Sequence, residues 1–316
     1  MIWSMTRARP QLARPRSRRS PAIASHTGHT AAVSSIAWSP DNTRIASASQ
    51  DTTVQMWRVA NPSTDVITYR GHQKSVNSVA WSPDGTLIAS GSSDGTTQLW
   101  SPNAQMIQRF NNMVTERTVA WSPDNQHLAI AGWDVLIWDR GSPQGGEIDY
   151  YVTNEQGWAN QGVTYSVAWA PDGHRFVAGF NDQTIRIWDI TTSTNLATWN
   201  VAGNISCVAW APDGRFLAFA GAGNGVQVRN AESGEIVLLY KGHTGVVSSV
   251  AWSPDSTLLT SGSDDKTVQV WHATRGQRLF TYTGHTAGIS CVAWSPDGQF
   301  IASGSDDKTV QIWHAP

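Results

Sequence analysis

Residues 79–85 read Val79-Ala80-Trp81-Ser82-Pro83-Asp84-Gly85, and the Trp of this Ala-Trp-(Ser/Ala)-Pro-Asp stretch returns at 38, 81, 121, 169, 210, 252 and 294. The intervals are 43, 40, 48, 41, 42 and 42 residues, so the chain is written as seven units. Inside a unit, Val247 to Trp252 alternates with the two-residue period of a strand. Ser253-Pro254-Asp255-Ser256 then reverses the chain, with Pro supplying a φ of about −65°. The position after Asp needs ready access to left-handed backbone; Gly85, Gly173, Gly214, Gly298, Asn42 and Asn125 suit it, and Ser256 departs. A second strand from Leu258 leads through Asp264-Asp265-Lys266 into a third ending at Trp271. Aromatic-tipped segments such as Val66–Tyr69 and Leu279–Tyr282 make the fourth.

Seven units of about 42 residues, four strands each, predict an all-β fold: a seven-bladed β-propeller of four-stranded antiparallel blades. One such sheet would leave both apolar faces in water, whereas a ring covers every face. Thirteen of the 17 Trp occupy two positions of the repeat, which reads as core and not as a stacking platform for bases or sugars. The chain stops after a third strand, at Trp313-His314-Ala315-Pro316. Residues 21–27, in register with Val66–Tyr69 ahead of a Gly-His pair, are therefore expected to complete the last blade.

Charge divides the chain unevenly. Residues 1–20 hold six Arg and no acid; removing them from 22 basic and 24 acidic residues leaves 16 against 24, a net −8 for the body. So acidic a body disfavours nucleic acid as a partner except through the basic residues 1–20. Residues 1–20 read as a disordered basic tail, open to three interpretations: a solvated leader, a misplaced start, or a targeting segment. No apolar run approaches the roughly 20 residues that span a bilayer, so no membrane partner is expected. Cys207 and Cys291 stand where other units have Ser35, Ser78, Thr118, Ser166 or Ser249. They read as small reduced core residues, in keeping with a cytoplasmic setting.

Gly-His at 28/29, 71/72, 242/243 and 284/285, with Asp six residues before a terminal Trp, resembles the WD-repeat family of β-propellers. The resemblance covers residues 21–316 as one domain. It implies a binding scaffold, seldom an enzyme, and a buried hydrogen-bonded group in each well-formed blade. The matching residues are His29, Asp51 and Trp57; His72, Asp94 and Trp100; His243, Asp265 and Trp271; His285, Asp307 and Trp313, with Ser47, Ser90, Ser261 and Ser303 as the hydroxyls. On this reading they are structural. Blades 3 to 5 depart from the pattern: Asn112, Asn160 and Val201 replace His, Arg229 replaces Trp, and Gly223 replaces the turn Asp.

Catalytic patterns are not convincing. Gly91-Ser92-Ser93-Asp94-Gly95 fits G-x-S-x-G, but a strand follows where a nucleophile elbow needs a helix. No Cys/His spacing suits a metal, and no cofactor is expected. The reading is a monomeric scaffold, not an enzyme, that presents peptide-binding loops on one face to a protein or peptide partner. The alternative is a propeller enzyme or small-ligand binder that uses the central channel. Carried over from the family, the exposed face includes Gln50, Glu116, Trp133, Asn181, Asp264 and Asp306. Trp133 and Trp158 lie outside both core Trp positions, with Glu116 and Glu155 near in sequence, which suits a basic or aromatic peptide. Trp158 packing over Trp133 is the competing interpretation. Asp264 and Asp306 read either as a second contact or as a solvated charged face.

Overall fold

The motif's letters divide the work of folding. A computed structural model describes residues 22–111, 118–141, 163–221 and 225–316, with the backbone alone of 148–151. In it Ser253 Oγ donates to Asp255 Oδ1 (2.6 Å) and accepts from Leu258 N–H (2.9 Å), while Asp255 Oδ1 accepts from Thr257 N–H (3.1 Å). Ser39 with Asp41, Ser82 with Asp84, and Ser295 with Asp297 repeat the arrangement. Pro and the left-handed residue bend the backbone, and Ser and Asp satisfy the groups that the bend frees. Ser256, the exception in sequence, adopts the same conformation as the glycines, at φ 62° against 69° for Gly85.

The described strands form seven four-stranded antiparallel sheets. Blade 1 runs Val33–Trp38, Arg44–Ser49, Val54–Arg58 and Ile67–Tyr69, from channel to rim. Blade 2 follows from Val76–Trp81 to Met106–Asn111, blade 3 from Thr118–Trp121 to Ile148–Tyr151, and blade 4 from Thr164–Trp169 to Thr194–Asn200. Blade 5 runs from Ile205–Trp210 to Ile236–Tyr240 and blade 6 from Val247–Trp252 to Arg278–Tyr282. Blade 7 has Ile289–Trp294, Phe300–Ser305 and Val310–His314, and its outer strand is Ala24–His26 from the other end of the chain. Ala24 pairs with Ile312 and His26 with Val310, while Ile23 N–H donates to the Ile312 carbonyl at 2.8 Å. The expected closure is thus in place, within residues 21–27.

Each junction between consecutive blades holds one apolar cluster. At the closing junction Ala24, Ala302, Val310 and Ile312 of blade 7 meet Val33, Ile45 and Trp57 of blade 1. Trp57, Trp100, Trp271 and Trp313 are the largest fully buried side chains. Burial of a Trp contributes on the order of 4–6 kcal/mol before entropy is subtracted, so no blade could leave these faces in water. Approach is close enough that a Cβ on Gly262 would lie 2.6 Å from Ile289 of the next blade.

Around the channel a β-bulge recurs in the inner strand, between Val33 and Ser35, Val76 and Ser78, and at four further equivalent places. A bulge turns the side chain that follows it out of the ladder. Ser35 Oγ accepts from Val79 N–H (3.2 Å), Ser78 Oγ from Val119 N–H (3.0 Å), Ser166 Oγ from Val208 N–H (3.0 Å) and Ser249 Oγ from Val292 N–H (3.2 Å). These bonds link neighbouring blades where no ladder can. Cys207 and Cys291 occupy the same position as free thiols, and burial pushes Cys291 up to about 12.

Candidate functional site

The residues singled out as polar groups of the interior come together in blades 1, 2, 6 and 7. His29 Nδ1 lies 2.8 Å from Asp51 Oδ2 and its Nε2 2.9 Å from Ser47 Oγ. The matching distances are 3.1 and 2.8 Å for His72, 2.9 and 2.8 Å for His243, and 2.8 and 2.7 Å for His285. Trp100 and Trp271 Nε1 each donate to the Ser hydroxyl at 3.2 Å and Trp57 at 3.5 Å, whereas Trp313 Nε1 is buried without a partner. Where the Ser hydroxyl donates to His Nε2, His Nδ1 donates to the Asp carboxylate and the imidazole is neutral; Ser47 Oγ also reaches the Gln55 carbonyl as a donor at 3.2 Å. Burial, opposed by the nearby Asp, lowers all four His below their ordinary value. Burial would raise the four Asp, but hydrogen bonds from Thr hydroxyls, backbone N–H groups and the His hold them below theirs.

A second layer joins rings from neighbouring blades. Tyr69, at the end of blade 1's outer strand, stacks on Trp100 of blade 2 with ring centroids 4.6 Å apart, and its hydroxyl donates to Gln98 Oε1 at 2.5 Å. Tyr240 on Trp271 and Tyr282 on Trp313 repeat this with Gln269 and Gln311. At the closing junction His26 replaces Tyr. It stacks on Trp57 at 4.9 Å, with Nε2 2.7 Å from Gln55 Oε1 and Nδ1 2.7 Å from the Pro62 carbonyl. The recurring Gln two residues before each of these Trp was the available signal.

Blades 4 and 5 fill the same space differently. In blade 4, Ala178 stands at the hydroxyl position, and Asp182 pairs with Arg186 at 2.5 Å. In blade 5, Arg229 replaces Trp, and Trp199 on the outer strand of blade 4 replaces the capping Tyr, which inverts the stack. The Arg229 guanidinium sits 5.5 Å from the Trp199 ring and 5.6 Å from that of Phe219, which replaces the Ser, and Arg229 Nε donates to Gln227 Oε1 at 2.8 Å. With Val201 in place of His, the blade keeps a hollow of about 550 Å³ lined by Val201, Ile205, Phe219, Gln227, Leu239 and Lys241. Asn112, Asn160 and Gly223 lie outside the described residues.

At one end of the blades the candidate contact residues form a ring. Gln50, Asn181, Asp264 and Asp306 open the turn between second and third strands, and each backbone N–H donates to the loop leading into the blade's own inner strand, at 2.9–3.0 Å. Trp133 holds the equivalent place in blade 3, twelve residues after the motif Trp in every case. It is 51% exposed, although most other Trp are buried. Its short hairpin is closed by Gly132 N–H to the Asp134 carbonyl (3.0 Å) and tied to blade 4 by Thr164 N–H to the Gly132 carbonyl (2.8 Å). Asp264 and Asp306 flank Gly288 from adjacent blades, their carboxylate oxygens 3.3 and 3.4 Å from where its Cβ would be. Burial, then the charges of Asp264 and Asp307, push the Asp306 carboxyl up. Glu116, Glu155 and Trp158 lie outside the described residues. Among the described residues no three His, Cys, Asp or Glu converge as a metal site, and no helix is long and apolar enough to cross a membrane.

The WD domain, G-beta repeat model matches residues 21–58, 63–101, 234–272 and 276–314, which are the blades with the His–Ser–Asp group. The anaphase-promoting complex subunit 4 WD40 domain model matches residues 137–211. With seven four-stranded blades in one ring, the chain belongs to the WD-repeat family of β-propellers. Among curated proteins it is 28% identical over 172 residues to small ribosomal subunit protein RACK1 of Drosophila melanogaster, 53% of this chain and 54% of that one. It is 27% identical over 173 residues to the serine-threonine kinase receptor-associated protein of Gallus gallus, 55% of this chain and 47% of that one. A shorter match, 28% over 87 residues, covers 28% of the chain and 14% of WD repeat-containing protein 1 of Gallus gallus. The chain thus spans about half the length, or less, of these relatives.

Proposed function

We propose that this protein is an interaction scaffold whose contact surface is the ring of turns that includes Gln50, Trp133, Asn181, Asp264 and Asp306. The observation that carries the reading is Trp133: a large aromatic, half exposed, at a position that four other blades fill with Gln, Asn or Asp. Exposed Trp on a rigid hairpin fits the anchor of a protein interface, because its area is presented with little conformational entropy left to lose. The name of one relative, a receptor-associated protein, points the same way. The buried His–Ser–Asp–Trp groups are taken as structural, since their hydrogen-bonding capacity is spent on one another. The partner is a protein or peptide with a basic or aromatic segment, matched to Trp133 and to the acids Glu116, Glu155, Asp264 and Asp306. Affinity capture from native lysate with the intact chain and with a Trp133→Ala/Trp158→Ala double variant tests this. Partners lost with the double variant support the assignment; an unchanged set rejects it.

A further inference from the structure

Blade 5 differs from its neighbours on its rim as well as inside. Its outer strand, Ile236–Tyr240, is last in its sheet, so one backbone edge faces no other strand. Such edges usually carry a charge or Pro that discourages further pairing. Met106–Asn111 contains Arg109 and Arg278–Tyr282 begins with Arg278. Ile67–Tyr69 and Thr194–Asn200 have no charge but are short or mostly polar, whereas this strand reads Ile236-Val237-Leu238-Leu239-Tyr240, five residues without a charge or a Pro. Ile236 is 59%, Val237 38% and Leu239 49% exposed. Isolated exposed apolar residues need no explanation, whereas three in five consecutive positions of an unprotected edge do.

Beside this strand runs a groove of about 510 Å³, lined by Leu238, Leu239, Tyr240 and Lys241 of blade 5 and by Arg275 and Arg278 of the hairpin of blade 6. Gly276 lets that hairpin close in, because a Cβ there would lie 3.1 Å from Leu238 Cδ1 and its φ is +66°. Lys241, Arg275 and Arg278 are exposed. The Lys and Arg side chains with a carboxylate within 4.0 Å among the described residues are Arg140, Arg175 and Arg186, so none of these three cations forms an ion pair there. Unpaired cations on both sides of an apolar floor stand out on a body whose residues 21–316 carry a net −8.

We propose that this groove docks an extended acidic peptide with apolar residues at alternate positions. Leu238 and Tyr240 face blade 6, while Val237 and Leu239 face the other way. The apolar set of an extended peptide therefore continues the Val237–Leu239 face, and carboxylates on its opposite side reach Arg275 and Arg278. The peptide backbone runs along the unpaired edge of Ile236–Tyr240. This surface shares no residue with the ring around Trp133, and either assignment can fail without the other.

The test uses the full chain and two fluorescein-labelled heptapeptides, alternating Asp with Leu and Lys with Leu, followed by anisotropy at about 0.15 M salt. The acidic peptide is expected to bind, weakening at least about tenfold for R275E/R278E and for L239D, and weakening again at about 1 M salt as the charges are screened. The Lys peptide is expected not to bind. All three substituted residues are exposed, so the melting temperatures of both variants should match the parent. Equal binding of the two peptides, no binding of the acidic one, or indifference to both variants would overturn the proposal. So would a concentration-dependent dimer in sedimentation that L239D abolishes, because the edge would then serve a second copy of the chain.

Discussion

Blades 1, 2, 6 and 7 and blade 5 close equivalent interiors with opposite chemistry. The first group uses a neutral His, a hydroxyl, a carboxylate and a Trp, capped by a stacked Tyr or, at the closing junction, His26. Blade 5 puts Arg229 where the Trp belongs and Phe219 where the Ser belongs, is capped by Trp199 of blade 4 in place of a Tyr, and still satisfies the Gln amide oxygen through Arg229. An interior of this kind is therefore not tied to one set of side chains: blade 5 replaces the polar group with a guanidinium between two rings and tolerates a hollow beside it. The departures also collect what sets this chain apart: Trp133 in blade 3, and in blade 5 the hollow and the apolar rim.

The sharpest way to break this comparison is at the closing junction, where the chain supplies one strand from its far end. Removing residues 1–28 strips Ala24 and His26 from blade 7 and uncovers Trp57, which should cost on the order of 5 kcal/mol in urea unfolding. Removing residues 1–18 should leave the midpoint nearly unchanged; equal effects would refute the clasp. Next in size, Trp271→Ala should cost about 4 kcal/mol, as a fully buried ring is lost together with its stack on Tyr240. Arg229→Ala at the equivalent place should cost only about 1–2 kcal/mol, because a half-buried guanidinium contributes one hydrogen bond and two ring contacts. Equal costs would mean that blade 5 depends on its guanidinium as heavily as blade 6 depends on its indole.

Acid should find the blades with the His–Asp pair first. A lowered folded-state value for His29, His72, His243 and His285 favours the neutral form, so stability is full above about pH 6.5 and falls as pH drops toward the folded-state values. The paired Asp, also lowered, add a second loss that begins below about pH 4 and runs through their folded-state values. Urea midpoints between pH 8 and pH 3 should show both stages. His243→Gln should blunt the first, whereas the Val201 position of blade 5 has no such group to lose. The smallest effect expected is a gain. Thr52 is β-branched at φ 72° where blade 2 has Gly95 at 80°, so Thr52→Gly should stabilise by about 0.5–1 kcal/mol in thermal unfolding.

The blade count, the strand order and the shared last blade were legible in the sequence because a period of about 42 residues admits few ways to bury both faces of a sheet. The polar groups were legible too, since His, Ser, Asp and Trp recur at fixed offsets. What escaped were relations between units. Gln55, Gln98, Gln269 and Gln311 answer to a ring on the preceding blade, and no offset within one unit reveals that partner. Arg229 looks like a defect when taken singly and makes sense only against Trp199 on the outer strand of the preceding blade. Trp133 was legible among the turns that hold Gln50 and Asp264, because each lies twelve residues after its motif Trp, but its exposure was not; Trp158, Glu116 and Glu155 lie outside the described residues.

Hydrogen exchange of the backbone amides in residues 22–30, followed by mass spectrometry on the intact chain, tests the closed ring most directly. Protection of Ala24–His26 comparable to that of Arg278–Tyr282, an outer strand built from local sequence, is the predicted result. Exchange within seconds at Ala24–His26, while Val310–His314 stays protected, would mean that the first strand does not shut the circle.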